Sequence, residues 1–241
     1  MGESANQVIE RARTKVLEGI VNTEAIMTED ARKALIERAM SAAMGSMSGI
    51  ANVHRPPALR KETTRTINSV LHQWKSYMDP HVHSTLELRP EFSDAHPTSS
   101  SPEEDRFLRA NRVSQLLQSF DFLRKNPTDP LFSAKYFQDC IVDHLYLRTP
   151  VLWPFVDRAA PHVALDNLFA LGAAAAAAAM RDYQEGKRDR RELTSPLWRP
   201  DYHRARVLIQ QIRADEGESL RLDRLQQWML AQRRVEVDEP V

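Results

Sequence analysis

Apolar residues recur along this chain at three- and four-residue intervals between short polar breaks, the pattern of amphipathic helices that share a core. One stretch departs from that rhythm. From Leu168 to Met180 no polar side chain occurs, and seven consecutive alanines, Ala173 to Ala179, fill its middle. A helix that is apolar all round has no face for water, so it is expected at the centre of the fold. The run is shorter than the ~20 apolar residues a bilayer requires. It is also too rich in the best helix-forming residue to be a central strand. The predicted helix covers Ala164 to Glu185, with Gly186 at its C-cap.

The remaining segments read as shorter amphipathic helices. Val8, Ala12, Val16 or Leu17 and Ile20 mark the first, with Gly19 a weak point in it. Thr28-Glu29-Asp30 supplies an N-cap and acidic first turn for a second, carried by Ala31, Leu35, Ala39 and Met40 and stopped at Gly45 to Gly49. A third starts near Pro57, shows Ile67, Val70, Leu71, Trp74 and Met78 on one face, and is expected to end at Asp79-Pro80. From Asp79 to Ser101 the composition turns to Pro, His, Ser and Thr, which predicts a mobile connector with at most an extended piece at Thr85 to Leu88.

Ser101-Pro102-Glu103-Glu104 has the form of a capping box and opens a helix through Val113, Leu116, Leu117, Phe120 and Leu123. A Pro/Asn turn at residues 126–130 precedes a helix on Phe137, Ile141 and Leu145, with Tyr136, Cys140 and His144 beside that stripe and Thr149-Pro150 as its stop. Trp153, Pro154 and Phe155 are expected to plug one end of the bundle. After the alanine helix comes a basic loop, Lys187 to Arg191. A helix then starts at Pro200 with Ala205, Leu208, Ile209 and Ile212, and Gly217 separates it from a last helix with Leu222, Leu225, Trp228 and Met229. The sequence predicts an all-α fold: one domain over residues 1–241, an irregular bundle of seven or eight helices around the alanine helix, with a disordered tail at 234–241.

Composition narrows the setting. At 241 residues with 42% hydrophobic content, the chain can bury a full core without staples. A single cysteine, Cys140, excludes an internal disulfide and fits a reducing compartment. Lys plus Arg equals Asp plus Glu, 33 each, so no whole-protein field gathers nucleic acid or anionic membrane. The N-terminus lacks the apolar core of a signal peptide, and Asn6 stands where a myristoylation motif wants Ser or Thr. The expectation is a soluble intracellular protein, in cytoplasm or nucleus, with no membrane association.

The second half carries an ordered set of features: the helix ending Ile141 to Tyr146, an aromatic-proline segment, the alanine helix closing on Arg181-Asp182-Tyr183-Gln184-Glu185-Gly186, then Trp198, Tyr202 and an apolar helix. This resembles an uncharacterised domain-of-unknown-function family abundant in mushroom-forming basidiomycete fungi. The likeness covers roughly Ala31 to Ile212 and is strongest from Phe132 to Ile212. It implies a fungal source and an all-helical domain, and carries no activity to any residue.

Candidate chemistry is sparse. Cys140 and His144, four apart on one helical face and flanked by the carboxylates Asp139 and Asp143, have the spacing of a thiol activated by imidazole, but they adjoin an apolar stripe that favours plain burial. His81 and His83, if extended, would aim both imidazoles to one side for zinc or copper, yet no CxxC or HExxH completes a ligand set. Lys187, Arg188, Arg190 and Arg191 form a basic run that Asp189 interrupts and Glu192 closes. With Arg199, Arg204 and Arg206 it is the candidate phosphate-contacting patch over residues 187–206. Gly45-Ser46-Met47-Ser48-Gly49 imitates a nucleophile elbow with Met47 at the position that requires serine. Met40, Met44 and Met47 could present an adaptable partner face, although helix-spaced methionines are mostly interior. With seven glycines there is no GxGxxG and no P-loop. These features assign no catalytic residue, metal ligand or cofactor. The expected function is a non-enzymatic interaction or regulatory module with a protein partner. A nucleic-acid-associated protein using residues 187–206 is the alternative, and an enzyme at Cys140 and His144 the second.

Overall fold

A computed structural model describes residues 5–44, 57–87, 101–187, 189 and 195–232. They form eight helices: α1 (Ala5–Asn22), α2 (Glu29–Met44), α3 (Pro57–Glu87), α4 (Pro102–Ser119), α5 (Lys135–Tyr146), α6 (Pro161–Arg181), α7 (Ser195–Ala214) and α8 (Glu216–Ala231). No strand occurs among the described residues. The stop at Gly45 to Gly49, including Met47, the remainder of the connector (88–100), Arg188, Arg190, Arg191 and the tail at 234–241 lie outside them.

The alanine helix is the axle of the bundle. Every residue of α6 from Asn167 to Met180 is buried, and the helix packs against α1, α3, α4, α5, α7 and α8. Within this 21-residue helix an 18-residue window reaches a mean hydropathy of 1.6, long and apolar enough to span a bilayer; 89% of that window is buried inside the protein. Burying a methyl group contributes under about 1 kcal/mol, so the alanines matter less for transfer energy than for the close approach they allow. Gly172 marks the tightest point: a Cβ there would lie 2.9 Å from the Phe137 ring and 3.2 Å from that of Trp74. Larger side chains fill in around this seam, with Phe132, Phe137 and Phe169 in mutual ring contact at 5.1–5.5 Å.

Buried polar groups fix the register of the helices. Asn167 of α6 donates from Nδ2 to the Ile20 and Val21 carbonyls, and its Oδ1 accepts from Tyr202 of α7 and from the Ala25 N–H. The last turn of α1 directs the Thr23 and Glu24 N–H groups to the Gly19 carbonyl, so a side chain from another helix caps what α1 leaves open. Arg181 forks onto Asp201, which is fully buried and also bound by Arg204, tying α6 to α7. Lys75 of α3 meets Asp182, just past the end of α6, at 3.3 Å in an enclosed pair. Arg213 of α7 joins Asp166 of α6 to Asp223 and Gln226 of α8. Residues 153–155 form a 3-10 turn whose Phe155 carbonyl accepts from Asn22 at 2.6 Å, closing the end of α1.

Several boundaries differ from the sequence reading, each for a tertiary reason. α3 does not stop at Asp79-Pro80 but continues to Glu87 with Pro80 inside it, so residues 79–87 are helix and neither connector nor extended. An interior proline costs roughly 3 kcal/mol. Here Pro80 faces solvent, and the continuation is held by buried Val82 and by ring contacts of His81 and His83. α7 begins at Ser195 and carries Pro200 within it, because Trp198 and Asp201 on either side are buried. α4 ends at Ser119: Phe120 turns to φ 56°, and Leu123 packs from a separate 3-10 turn. Ser101 starts α4 without a side-chain capping hydrogen bond, so proline at the first position opens the helix and the box does not close. The break before α8 is made by Asp215, whose carboxylate accepts from the Glu218 N–H, and Gly217 lies inside that first turn. α6 ends at Arg181; Gly186 closes the turn after it at φ 74°, where a Cβ would strike the Arg106 carbonyl at 2.1 Å.

Candidate functional site

α5 places Cys140 and His144 one turn apart on its buried face, where both are essentially inaccessible. Sγ lies 3.6 Å from Nδ1 of His144, but that nitrogen has a better partner in the Cys140 carbonyl at 2.9 Å. Since a carbonyl only accepts, Nδ1 carries the proton. Burial pushes the Cys140 thiol well above its usual value and the His144 imidazole down to about 4. Both are therefore neutral at pH 7, whereas a cysteine nucleophile needs the thiolate. His144 stacks on Trp74 with ring centroids 4.3 Å apart, and neither His144 Nε2 nor Trp74 Nε1 has a hydrogen-bond partner.

His81 and His83 lie on α3, so the extended geometry that would have aligned them is absent. Two residues apart on a helix, their side chains diverge. His81 sits between the rings of Tyr77 and Tyr136, while His83 contacts Tyr183 by hydrogen bond and by stacking. No group of three or more His, Cys, Asp or Glu side chains converges among the described residues. Of the basic run, Lys187 is described and exposed. Arg204 donates to Asp201 and to the Leu117 carbonyl, and Arg206 donates to the Thr23 carbonyl and lies over the Tyr202 ring. Met40 is buried and Met44 half-buried, so these two do not make an open methionine face.

The feature that the linear reading missed is a cleft of about 650 Å³ where α2, α3 and α7 meet. Met27, Thr28, Glu29, Arg32, Lys33, Ile36, Arg60, Thr64 and Arg199 line it. The start of α2 forms one wall. Thr28 accepts the Ala31 N–H on its hydroxyl at 3.0 Å, which is the N-cap expected from its sequence. Glu29 and Asp30 in that first turn already complement the helix end, so the helix dipole adds little to the cleft.

The cations are what distinguish the cleft, and they are not all neutralised. Lys33 pairs with Glu29 at 2.8 Å and Arg60 with Glu37 at 2.8 Å, in pairs substantially open to water. Hydrogen bonding to each other, followed by mutual charge attraction, lowers the Glu29 pKa and raises that of Lys33. Arg32 instead donates to Asn68 at 2.9 Å, and Arg199 donates from Nε to His203 at 3.2 Å. Neither has a carboxylate partner among the described residues. Below them Ile36 and half-buried Met27 give the cleft an apolar floor. Only the N-cap carried a local signal for this site. The cations come from three helices, and no spacing rule links residues 32, 60 and 199.

A family model described as a domain of unknown function (DUF6532) matches residues 11–212. The match takes in most of α1, which the resemblance read from Ala31 onward had left out. No curated protein and no solved structure matches the chain.

Proposed function

The chain belongs to the DUF6532 family of domains of unknown function, and from that premise together with the cleft we propose that it is a non-enzymatic binding module that takes an anionic ligand between α2, α3 and α7. The observation that carries this reading is the surplus of positive charge gathered in one half-open cleft. Four cationic side chains converge on the cleft, and two of them, Arg32 and Arg199, donate to Asn68 and His203 and to no carboxylate among the described residues. A volume of about 650 Å³ is in the range of small-molecule sites, roughly 300–1,000 Å³. An ion in such a concavity feels less solvent screening than on an open face.

Two further observations support binding over catalysis. The one thiol-imidazole pair is buried and neutral. Among the described residues the lining of the cleft offers no histidine or cysteine and only one carboxylate, Glu29, already engaged by Lys33. Nucleic-acid association through residues 187–206 draws less support, because Arg204 and Arg206 are bound to groups of the protein itself. Localisation inside the cell is part of the same proposal and rests on the single, buried cysteine.

Thermal unfolding and calorimetric titration with inorganic phosphate, sulfate and citrate at constant ionic strength test the reading. A ligand that binds only the native state raises Tm with concentration. Binding of at least one of these anions, lost in the double charge reversal Arg32→Glu plus Arg199→Glu, is expected. If no anion binds, or if the double variant binds as well as the wild type, the cleft is not the site.

A further inference from the structure

The charge count and donor geometry of the cleft say more than that its ligand is negative. Of the four lining cations, Lys33 is paired with Glu29 and Arg60 with Glu37, so two, Arg32 and Arg199, stand without a carboxylate partner among the described residues. A carboxylate or a sulfate ester brings one negative charge and leaves one cation unmatched. A phosphomonoester brings about −1.5 to −2 at pH 7 and closes the balance.

The donors agree with the count. A guanidinium carries five N–H groups in a planar fork. Arg32 has committed one of them to Asn68 and Arg199 one to His203, leaving both forks available for a tetrahedral oxyanion. Thr64, half-buried in the same wall, adds a hydroxyl. The Lys33–Glu29 and Arg60–Glu37 pairs are open to water, where ion pairs are weak, so an incoming dianion can draw Lys33 and Arg60 away from them. The apolar floor of Met27 and Ile36 favours a ligand that carries an apolar or aromatic group next to its charge.

We infer that the cleft between α2, α3 and α7 recognises the dianionic phosphoryl group of a small phosphomonoester through Arg32 and Arg199, with the ester's organic part resting on Met27 and Ile36. This rests on the anion-binding reading above and narrows it to one ligand class. The same phosphoryl chemistry could be presented by a phospholipid headgroup. The dimensions of the cleft favour the soluble ester, and the experiment separates the two sources.

Phenyl phosphate and phenyl sulfate are nearly the same shape and differ by one charge at pH 7.5, so their comparison by isothermal titration isolates the charge match. Phenyl phosphate is expected to bind at least ~10-fold more tightly than phenyl sulfate, and more tightly than inorganic phosphate. Arg32→Gln and Arg199→Gln should each weaken it by roughly 10- to 100-fold, the range of a lost charge-assisted contact. Arg32→Lys and Arg199→Lys keep the charge without the fork and should fall between. Arg221→Gln, an exposed position on α8 away from the cleft, should change nothing. Unfolding midpoints of all variants, measured alongside, show that each remains folded.

Equal affinity for the two phenyl esters would overturn the dianion assignment while leaving anion binding intact. Absence of binding by every anion would remove both readings. Sedimentation with phosphatidylcholine vesicles containing phosphatidic acid, undisturbed by excess phenyl phosphate, would overturn the soluble-ester assignment in favour of a headgroup. Vesicle binding that is absent, or displaced by phenyl phosphate, supports it.

Discussion

Replacing Asn167 by alanine tests the idea that α6 positions its neighbours by capping them as well as by packing. The side chain is 3% exposed and serves two carbonyls of α1, the Tyr202 hydroxyl and the Ala25 N–H. In the variant Tyr202 can still accept from Ala25 at 3.1 Å, so the lasting damage is to the Ile20 and Val21 carbonyls, left in a dry interior with no donor. An orphaned buried polar group costs ~1–3 kcal/mol. Two of them at the lower end, with a small cavity added, give about 3 kcal/mol out of a total stability of about 5–15 kcal/mol. Urea unfolding followed by circular dichroism should show the midpoint falling by about 1 M at an m-value of ~2–3 kcal/mol/M. A cycle with Tyr202→Phe should give a coupling energy of ~0.5–3 kcal/mol, because the two side chains share one network. Should Asn167→Ala unfold within about 0.5 kcal/mol of the wild type, the capping argument is wrong and Asn167 merely fills space.

Three further outcomes follow from the same packing. His144 titrates near 6.5 in the unfolded chain and is driven down to about 4 by burial, so its contribution is complete above pH 6.5 and is lost as pH falls toward 4, by up to about 3 kcal/mol. Urea midpoints measured across that window should drop in the wild type and stay flatter in His144→Gln; parallel profiles would show that the imidazole is not the group responsible. Gly172→Ala gains about 1 kcal/mol in helix propensity but drives a methyl to 2.9 Å from Phe137, which costs ~1–3 kcal/mol, so a modest net loss is expected, and a rise in Tm would mean that the seam is looser than described. Cys140 should react with a thiol reagent at neutral pH only as fast as the protein opens, tracking added urea; rapid labelling of the native protein would contradict its burial.

The sequence by itself determined the fold class, the identity of the central helix and most of the residues that face the core, although Trp228, named with the apolar residues of α8, is exposed. These follow from local rules. A run without polar side chains has no solvent face, and three-to-four spacing on α1, α2, α5 and α8 marks one buried stripe each. The N-cap at Thr28 was equally legible, because a cap lies within four residues of what it caps. The tertiary structure decided whatever depended on distant groups. Pro80 reads as a helix stop and Pro200 as a helix start on local grounds, yet both helices run through them, because buried neighbours offset the lost backbone bond.

Cys140 and His144 have the spacing of a reactive pair, but spacing does not report dielectric; only the surrounding core makes both groups neutral. His81 and His83 lost their convergence when the segment became helix. The cleft was least visible of all. Arg32, Arg60 and Arg199 occupy separate helices and meet only because α2, α3 and α7 pack where they do. Periodicity states which face of a helix goes inward, while charge collected from several helices is a property of their packing, which no single stretch of sequence contains.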